Sequence, residues 1–369
     1  MIMTSKTYCH HIQKGLFVSH RGIAHCCTNT NKHKIISPKE FWFGEQRQSD
    51  IVKMNNGEKI QGCEKCYKFE EEKQYSPRHV YMNYKDTPAK KLPTILDLDL
   101  SNLCNLKCIM CSADRSSMWA KAEGQGVSSV DTKMLDELID MSDDLLEITI
   151  EGGEPSIMKD FDYYFLALKK KGIIQNINLM IITNLTNISE NFLNLMNDFK
   201  TVSLGISIDA FDKANQYIRW PSRWPVIEKN MEKVSKIVRV KEIYIMNTLN
   251  PLSMYNFDNF IQWISKQQKI FQKKVTFGAR TNCTNSPSYY NPLIVPNKLK
   301  QKFIEDVKNN LHKVNIRTWK IELQILLKRL QESQENTLEM QKFRQKIQQL
   351  DSERGVKVED FIPDFYEYI

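Results

Sequence analysis

Three cysteines, Cys104, Cys108 and Cys111, stand at C-x3-C-x2-C spacing within residues 101–112, SNLCNLKCIMCS. Thiolates this close in sequence can hold three irons of a [4Fe–4S] cubane. No fourth cysteine follows at local spacing, so one iron is left without a protein ligand. An open iron can bind a small chelating molecule, as the open position of a catalytic zinc site does. The competing reading of the trio is a zinc site completed by a distant histidine.

Such a loop must be carried by regular elements. Residues 95–100, ILDLDL, alternate apolar and polar and read as a strand running straight into it. Residues 145–150, LLEITI, form a second expected strand, ending in Glu151-Gly152-Gly153-Glu154-Pro155. Two glycines there permit a tight turn and close backbone approach to a ligand, and Pro155 is suited to open a helix. Further strands are expected at 177–184, ending in Thr183 and Asn184, at 202–209, ending in Ser207 and Asp209, and at 242–247 and 274–277. Helical patterns at 132–141 and 225–234 fall between them. Six alternating units predict an α/β fold of parallel strands with right-handed crossovers, whose active face lies at the carboxyl ends of the strands. The cysteine loop and the Gly-Gly-Glu-Pro turn both fall there.

This order of motifs resembles the radical S-adenosylmethionine (radical SAM) enzymes, and the expected fold is their partial (β/α)6 barrel. The resemblance implies that Cys104, Cys108 and Cys111 hold a catalytic [4Fe–4S] cluster whose open iron chelates SAM. It implies that Gly152, Gly153 and Glu154 meet the SAM amino group, and that Asn184, Ser207 and Asp209 meet its ribose and carboxylate. Arg219, in QYIRWP, matches an arginine that in many relatives pairs with the SAM carboxylate, a geometry suited to guanidinium. Met110 stands where the family commonly has an aromatic residue near the adenine, and a flexible thioether can fill the same gap. Taken singly, Asn184 and Ser207 also read as ordinary strand-end caps, and Arg219 as a surface ion pair.

The remaining cysteines are Cys9, Cys26, Cys27, Cys63, Cys66 and Cys283. The pattern Cys9, Gly22, Cys27, then Cys63-x-x-Cys66 resembles the auxiliary-cluster signature of twitch and SPASM domains, here placed before the barrel instead of after it. It implies a second, fully ligated [4Fe–4S] cluster on Cys9, Cys27, Cys63 and Cys66. Cys26 could replace Cys27, and a zinc site using His10, His11 or His25 is the rival. Gly22 can supply the positive φ of a hairpin turn within residues 18–24. Cys283 stands alone and reads as a loop cysteine, with a thiol hydrogen donor as the sharper alternative.

At 369 residues and 41% hydrophobic, the chain can bury a large core. The expected layout is a twitch-like segment at 1–90, the barrel at 91–290 and a helical extension at 291–369 that packs on it. Within the extension, residues 321–330 carry an amphipathic stripe, and the tail 350–364 resembles the closing segment of twitch-type proteins. Residues 1–7 show no apolar leader core, and no apolar run reaches the length of a membrane span. The expected location is cytoplasmic, where clustered C-x-x-C points to metal. The net charge of +8 comes from lysine-rich helices interspersed with acids. That pattern favours a solvated face over a nucleic-acid site.

The expected function is reductive cleavage of SAM and hydrogen abstraction from a substrate, a peptide or protein first and a small molecule second. A low-potential donor of the flavodoxin or ferredoxin type would supply electrons. A radical SAM enzyme acting on a nucleotide, sugar or nucleic acid is one alternative. A non-catalytic Fe–S or SAM-binding sensor is the other.

Overall fold

The computed structural model describes every residue except 1–6, 34–36, 73–75, 82–84, 87–88 and 285. The first six residues, on which part of the leader reading rests, therefore lie outside the described residues.

Alternating residues build one eight-stranded sheet. Its strands are β1 (Gly15–Ser19), β2 (Gly22–Ala24), β3 (Ile95–Asp99), β4 (Glu147–Ile150), β5 (Asn178–Thr183), β6 (Thr201–Ser207), β7 (Val240–Leu249) and β8 (Thr276–Cys283). The order is β2-β1-β3-β4-β5-β6-β7-β8. From β3 to β8 every neighbour is parallel and consecutive, the α/β partial-barrel topology expected from the sequence. The last strand runs six residues further than expected, so Cys283 ends β8 instead of sitting in a loop.

Period-two patterning decides what each face does. Ile148, Ile150, Leu179, Ile181, Val202, Leu204, Ile243 and Ile245 are fully buried beneath the crossover helices. The alternate residues of β4, β5 and β7 are mostly half-exposed and face the concave side, the barrel lumen. The helices are capped as the sequence signals: Asp131 accepts from the Met134 N–H, and a proline sits in the first turn of Trp224–Val234.

The N-terminal hairpin forms as expected, with Gly22 at φ +130°. What only the structure shows is its docking. β1 pairs in parallel with β3, Leu16 opposite Leu96, so the hairpin extends the barrel sheet. Leu16 and Val18 join the main core, while Cys9, Ile12, Met54 and Ile60 form a small separate cluster. At the other end, helices Asn297–Asn310, Arg317–Glu332 and Thr337–Arg354 bury Phe303, Trp319 and Phe343 in the main core. Among the described residues no helix is long and apolar enough to cross a membrane.

Candidate functional site

The cysteine loop has little regular structure, so its backbone groups need partners from elsewhere. Lys107 N–H donates to the Trp220 carbonyl (2.6 Å) and Ile109 N–H to that of Ile218 (2.9 Å). The Trp119 indole donates to the Cys108 carbonyl (2.8 Å), the Ser116 hydroxyl to that of Leu106 (2.6 Å), and Cys104 N–H to the Ser117 hydroxyl (3.1 Å). Arg354, from the last long helix, donates to the carbonyls of Lys107 (3.1 Å) and Tyr217 (2.8 Å). The C-terminal extension thus clamps the loop against the barrel.

The loop borders a cavity of about 250 Å³ at the carboxyl ends of the strands. Cys104, Cys108, Cys111 and Met110 line it from the loop, Gly152 and Gly153 from the turn after β4, and Asn184, Ser207 and Arg219 from beyond β5 and β6. Nine predicted residues, spread over more than a hundred positions, therefore meet at one place. Burial pushes the Cys104 thiol up to about 12 and also raises Cys108 and Cys111, while Arg219 pulls both of the latter back. Three thiols, Cys108 buried and Cys104 and Cys111 half-buried, beside one guanidinium are a donor set that suits iron, whose charge would draw off their protons.

Two predicted residues stand behind the wall. Glu154 is fully buried, and its carboxylate is committed within the protein. One oxygen accepts from Ser156 N–H (3.2 Å), Ser156 Oγ (2.7 Å) and Thr183 Oγ (2.6 Å), the other from Asn184 N–H (2.6 Å). Burial pushes its carboxyl up and these donors pull it back. Asn184, so fixed, donates to Asn105 Oδ1 (3.0 Å), next to Cys104. Asp209 is also fully buried. It grips Arg219 at Nε (2.8 Å) and Nη2 (3.0 Å) and accepts from Thr248 N–H (2.8 Å). Burial works against the Arg219 charge, but Asp209 and the neighbouring Cys108 outweigh it, so the guanidinium stays protonated beside the cysteines. Glu154 and Asp209, which the sequence reading expects to meet SAM, each hold a residue of the cavity wall, Asn184 and Arg219.

The glycines have a structural reason as well as a ligand-facing one. Gly152 has φ +82°, and a Cβ there would come within 1.7 Å of Asp99 Oδ1. One at Gly153 would fall 2.2 Å from the Leu103 carbonyl oxygen. Close packing against the end of β3 and the start of the cysteine loop excludes a side chain at either position.

Arg115 and Glu151 also line the cavity and were missed by the sequence reading. Arg115 pairs with buried Asp99 (3.1 Å), which Arg21 of the N-terminal hairpin grips as well. A guanidinium four residues past the last cysteine and a carboxylate opening the glycine turn were the available signals.

The second cysteine set converges too. Cys9, Cys26, Cys63 and Cys66 line a small cavity of about 20 Å³, with His11 and His25 on its wall. Cys26 lines this cavity and Cys27 does not. Cys27 is half-buried near Asp97, Glu151 and Tyr81. Burial raises all four cavity thiols, Cys9 to about 12 and Cys26 to about 11. The donors suit iron–sulfur or zinc, but the space as it stands holds about one water, so the side chains must part to admit a cubane. Among the described residues no group of three or more His, Cys, Asp or Glu is arranged to hold a single metal ion. His25 meets Asp50 through Nε2 (2.9 Å), whereas buried His11 stacks on Tyr81 with ring centroids 4.0 Å apart and neither of its nitrogens has a hydrogen-bond partner among the described residues.

Residues 98–264 match the model of the Radical SAM superfamily. No curated protein matches the chain. Among solved structures, the chain resembles native anSMEcpe with bound AdoMet at 19% identity and TM-score 0.45, covering 58% of this chain and 59% of that one. It resembles SuiB of Streptococcus suis bound to the precursor peptide SuiA at 17% identity and TM-score 0.41, covering 75% and 59%. A third is TsrM, a radical S-adenosylmethionine methyltransferase from Kitasatospora setae, at 12% identity and TM-score 0.33, covering 50% and 34%. The chain thus spans about three-fifths of the first two.

Proposed function

We propose that the radical SAM domain of residues 98–264 cleaves SAM reductively and uses the resulting radical to take hydrogen from a peptide or protein substrate. The observation that supports this reading is the convergence of Cys104, Cys108 and Cys111 with Gly152, Gly153, Asn184, Ser207 and Arg219 on one cavity at the strand ends. Cys104, Cys108 and Cys111 would hold a [4Fe–4S] cluster, which when reduced would supply the electron for cleaving SAM to methionine and a 5′-deoxyadenosyl radical.

The chain's own residues bind and orient. Arg219, locked by Asp209, holds a fixed positive charge beside the cysteines, where it offsets thiolate charge and faces the SAM carboxylate. The carbonyls of the glycine turn face the SAM amino group, and Asn184 and Ser207 offer hydrogen bonds to the ribose. Met110 gives the adenine an apolar neighbour. Glu154 keeps Asn184 in place. The half-exposed lumen runs the length of the strands below the cavity and fits an elongated guest better than a compact one, which favours a peptide.

The N-terminal thiols Cys9, Cys26, Cys63 and Cys66 are read as the ligands of a second [4Fe–4S] cluster, with a flavodoxin- or ferredoxin-type donor feeding the protein. Anaerobic reconstitution tests both sites. About eight irons per chain are expected, falling to about four in Cys104→Ala/Cys108→Ala/Cys111→Ala, with 5′-deoxyadenosine formation from dithionite and SAM abolished. About four irons falling to none would leave zinc, or nothing, at the N-terminal thiols. A loaded wild type that never forms 5′-deoxyadenosine would overturn the enzyme reading in favour of a sensor.

A further inference from the structure

Below the SAM cavity the barrel lumen opens into a second cavity of about 310 Å³, lined from β4 to β8. Its walls are of two kinds. Leu179, Met180, Met246 and the Tyr244 ring are apolar; on the polar side, Glu147 and Glu242 are acidic and Thr149, Asn178 and Ser203 neutral. Arg280 is the one cation among the lining residues. It is exposed, it stands beside the Tyr244 ring (5.7 Å), and Glu322, a residue of the outer helix Arg317–Glu332, feels its charge.

Glu242 is held in place without being neutralised. It accepts the Ser203 hydroxyl (2.8 Å) and the Tyr244 hydroxyl, both uncharged donors. Among the described residues no cation forms an ion pair with it. A partly exposed carboxylate, fixed by neutral donors at the end of an apolar slot, is a receptor for a long side chain with an aliphatic stem and a cationic head. The Tyr244 ring beside it offers a cation a second attraction. The acidic lumen also runs against the +8 charge of the whole chain.

Buried Gly205 stands between the two cavities. A Cβ there would come within 3.2 Å of Met180 Cε and Met246 Cγ and within 3.4 Å of Ile182 Cγ1. Met180 and Met246 line the lower cavity and Ile182 the upper. Glycine therefore keeps a further side chain out of this junction, where two flexible methionine side chains are the groups between the cavities. Met246 pairs with Ser207, so Glu242 lies four strand residues, about 13 Å, below the floor of the SAM cavity. A long side chain with one or two residues of extended backbone spans that distance.

We propose that this lower cavity is a specificity site for a lysine- or arginine-like side chain of the substrate, with Glu242 as its docking carboxylate. The inference rests on the radical SAM reading for its purpose, but the site can be tested without turnover. Reconstituted protein with SAM is titrated by saturation-transfer NMR with Nα-acetyl-lysine methylamide and, separately, with its norleucine counterpart. The lysine amide is expected to bind roughly tenfold tighter. Glu242→Gln should reduce that preference to less than twofold, while 5′-deoxyadenosine formed without peptide and iron content stay at wild-type values. Met180→Lys, which supplies its own ammonium to the slot, should do the same if the glutamine variant folds poorly. Equal binding of the two amides, no binding of either, or a tenfold preference that survives both variants would overturn the site. Absence of 5′-deoxyadenosine in a wild type that still prefers the lysine amide would refute the catalytic reading and leave the binding site standing.

Discussion

Replacing Glu154 by glutamine separates positioning from ligand contact. The carboxylate accepts from four donors, two main-chain N–H groups and two hydroxyls, and is fully buried. Glutamine offers one acceptor oxygen where two are needed. If its amide nitrogen faces Asn184, the Asn184 N–H loses a 2.6 Å bond and meets another donor. If it faces the other side, the Ser156 N–H is orphaned, and the Ser156 and Thr183 hydroxyls must rotate to accept. Either way one buried donor is stranded and one charge-assisted bond is lost, a cost of about 3 kcal/mol. The expected result is a clear fall in the urea midpoint of the anaerobic, reconstituted protein. SAM affinity by equilibrium dialysis should weaken by less than about threefold once the protein is kept below the unfolding range. An unchanged midpoint with SAM binding weakened tenfold or more would refute the reasoning, because it would mean that Glu154 spends its binding capacity on SAM and not on the fold.

The two adjacent cysteines should part company. Cys26→Ser is expected to remove the metal of the N-terminal site while the iron of the cysteine-loop site persists, and Cys27→Ser to leave both, as read by metal analysis; the reverse pattern would mean that Cys27 is the ligand. Asp97 offers a pH test. Burial first, then Glu151 and Glu147, push its carboxyl up to about 7. A carboxyl raised above its unfolded value binds its proton more tightly when folded, so its contribution is full below about pH 4 and is lost as pH rises through about 7. The shift bounds the loss at about 4 kcal/mol. Asp97→Asn should therefore raise the Tm at pH 8 relative to wild type and not at pH 5, and equal differences at both pH values would show that Asp97 is not held protonated.

Much of the scaffold was legible because it depends on neighbours in sequence. Period-two runs marked β3 to β7, the expected fourth-strand residues 202–207 fall within β6, and Gly22 marked the hairpin turn. The C-x3-C-x2-C trio and the glycine turn placed the site at the strand ends because strand-to-loop order is itself a sequence property. The docking of β1 against β3 was not legible, since that pairing joins residues about eighty positions apart and nothing local specifies the partner. Side-chain direction was likewise decided by tertiary structure. Spacing could not separate Cys26 from Cys27, of which only Cys26 lines the N-terminal cavity. Glu154 and Asp209 carry the right chemistry to face SAM, yet the fold surrounds one with donors and gives the other a guanidinium, and a buried carboxylate takes the partners within reach. The lower lumen is the extreme case. Glu242 and Tyr244 of β7, Ser203 of β6 and Met180 of β5 share a cavity only because parallel pairing sets their register. The sequence by itself thus determined which residue types and elements exist and where along the chain chemistry is carried. Only the tertiary structure decided which side chains meet, because contacts between distant residues are set by packing and register and not by local propensity.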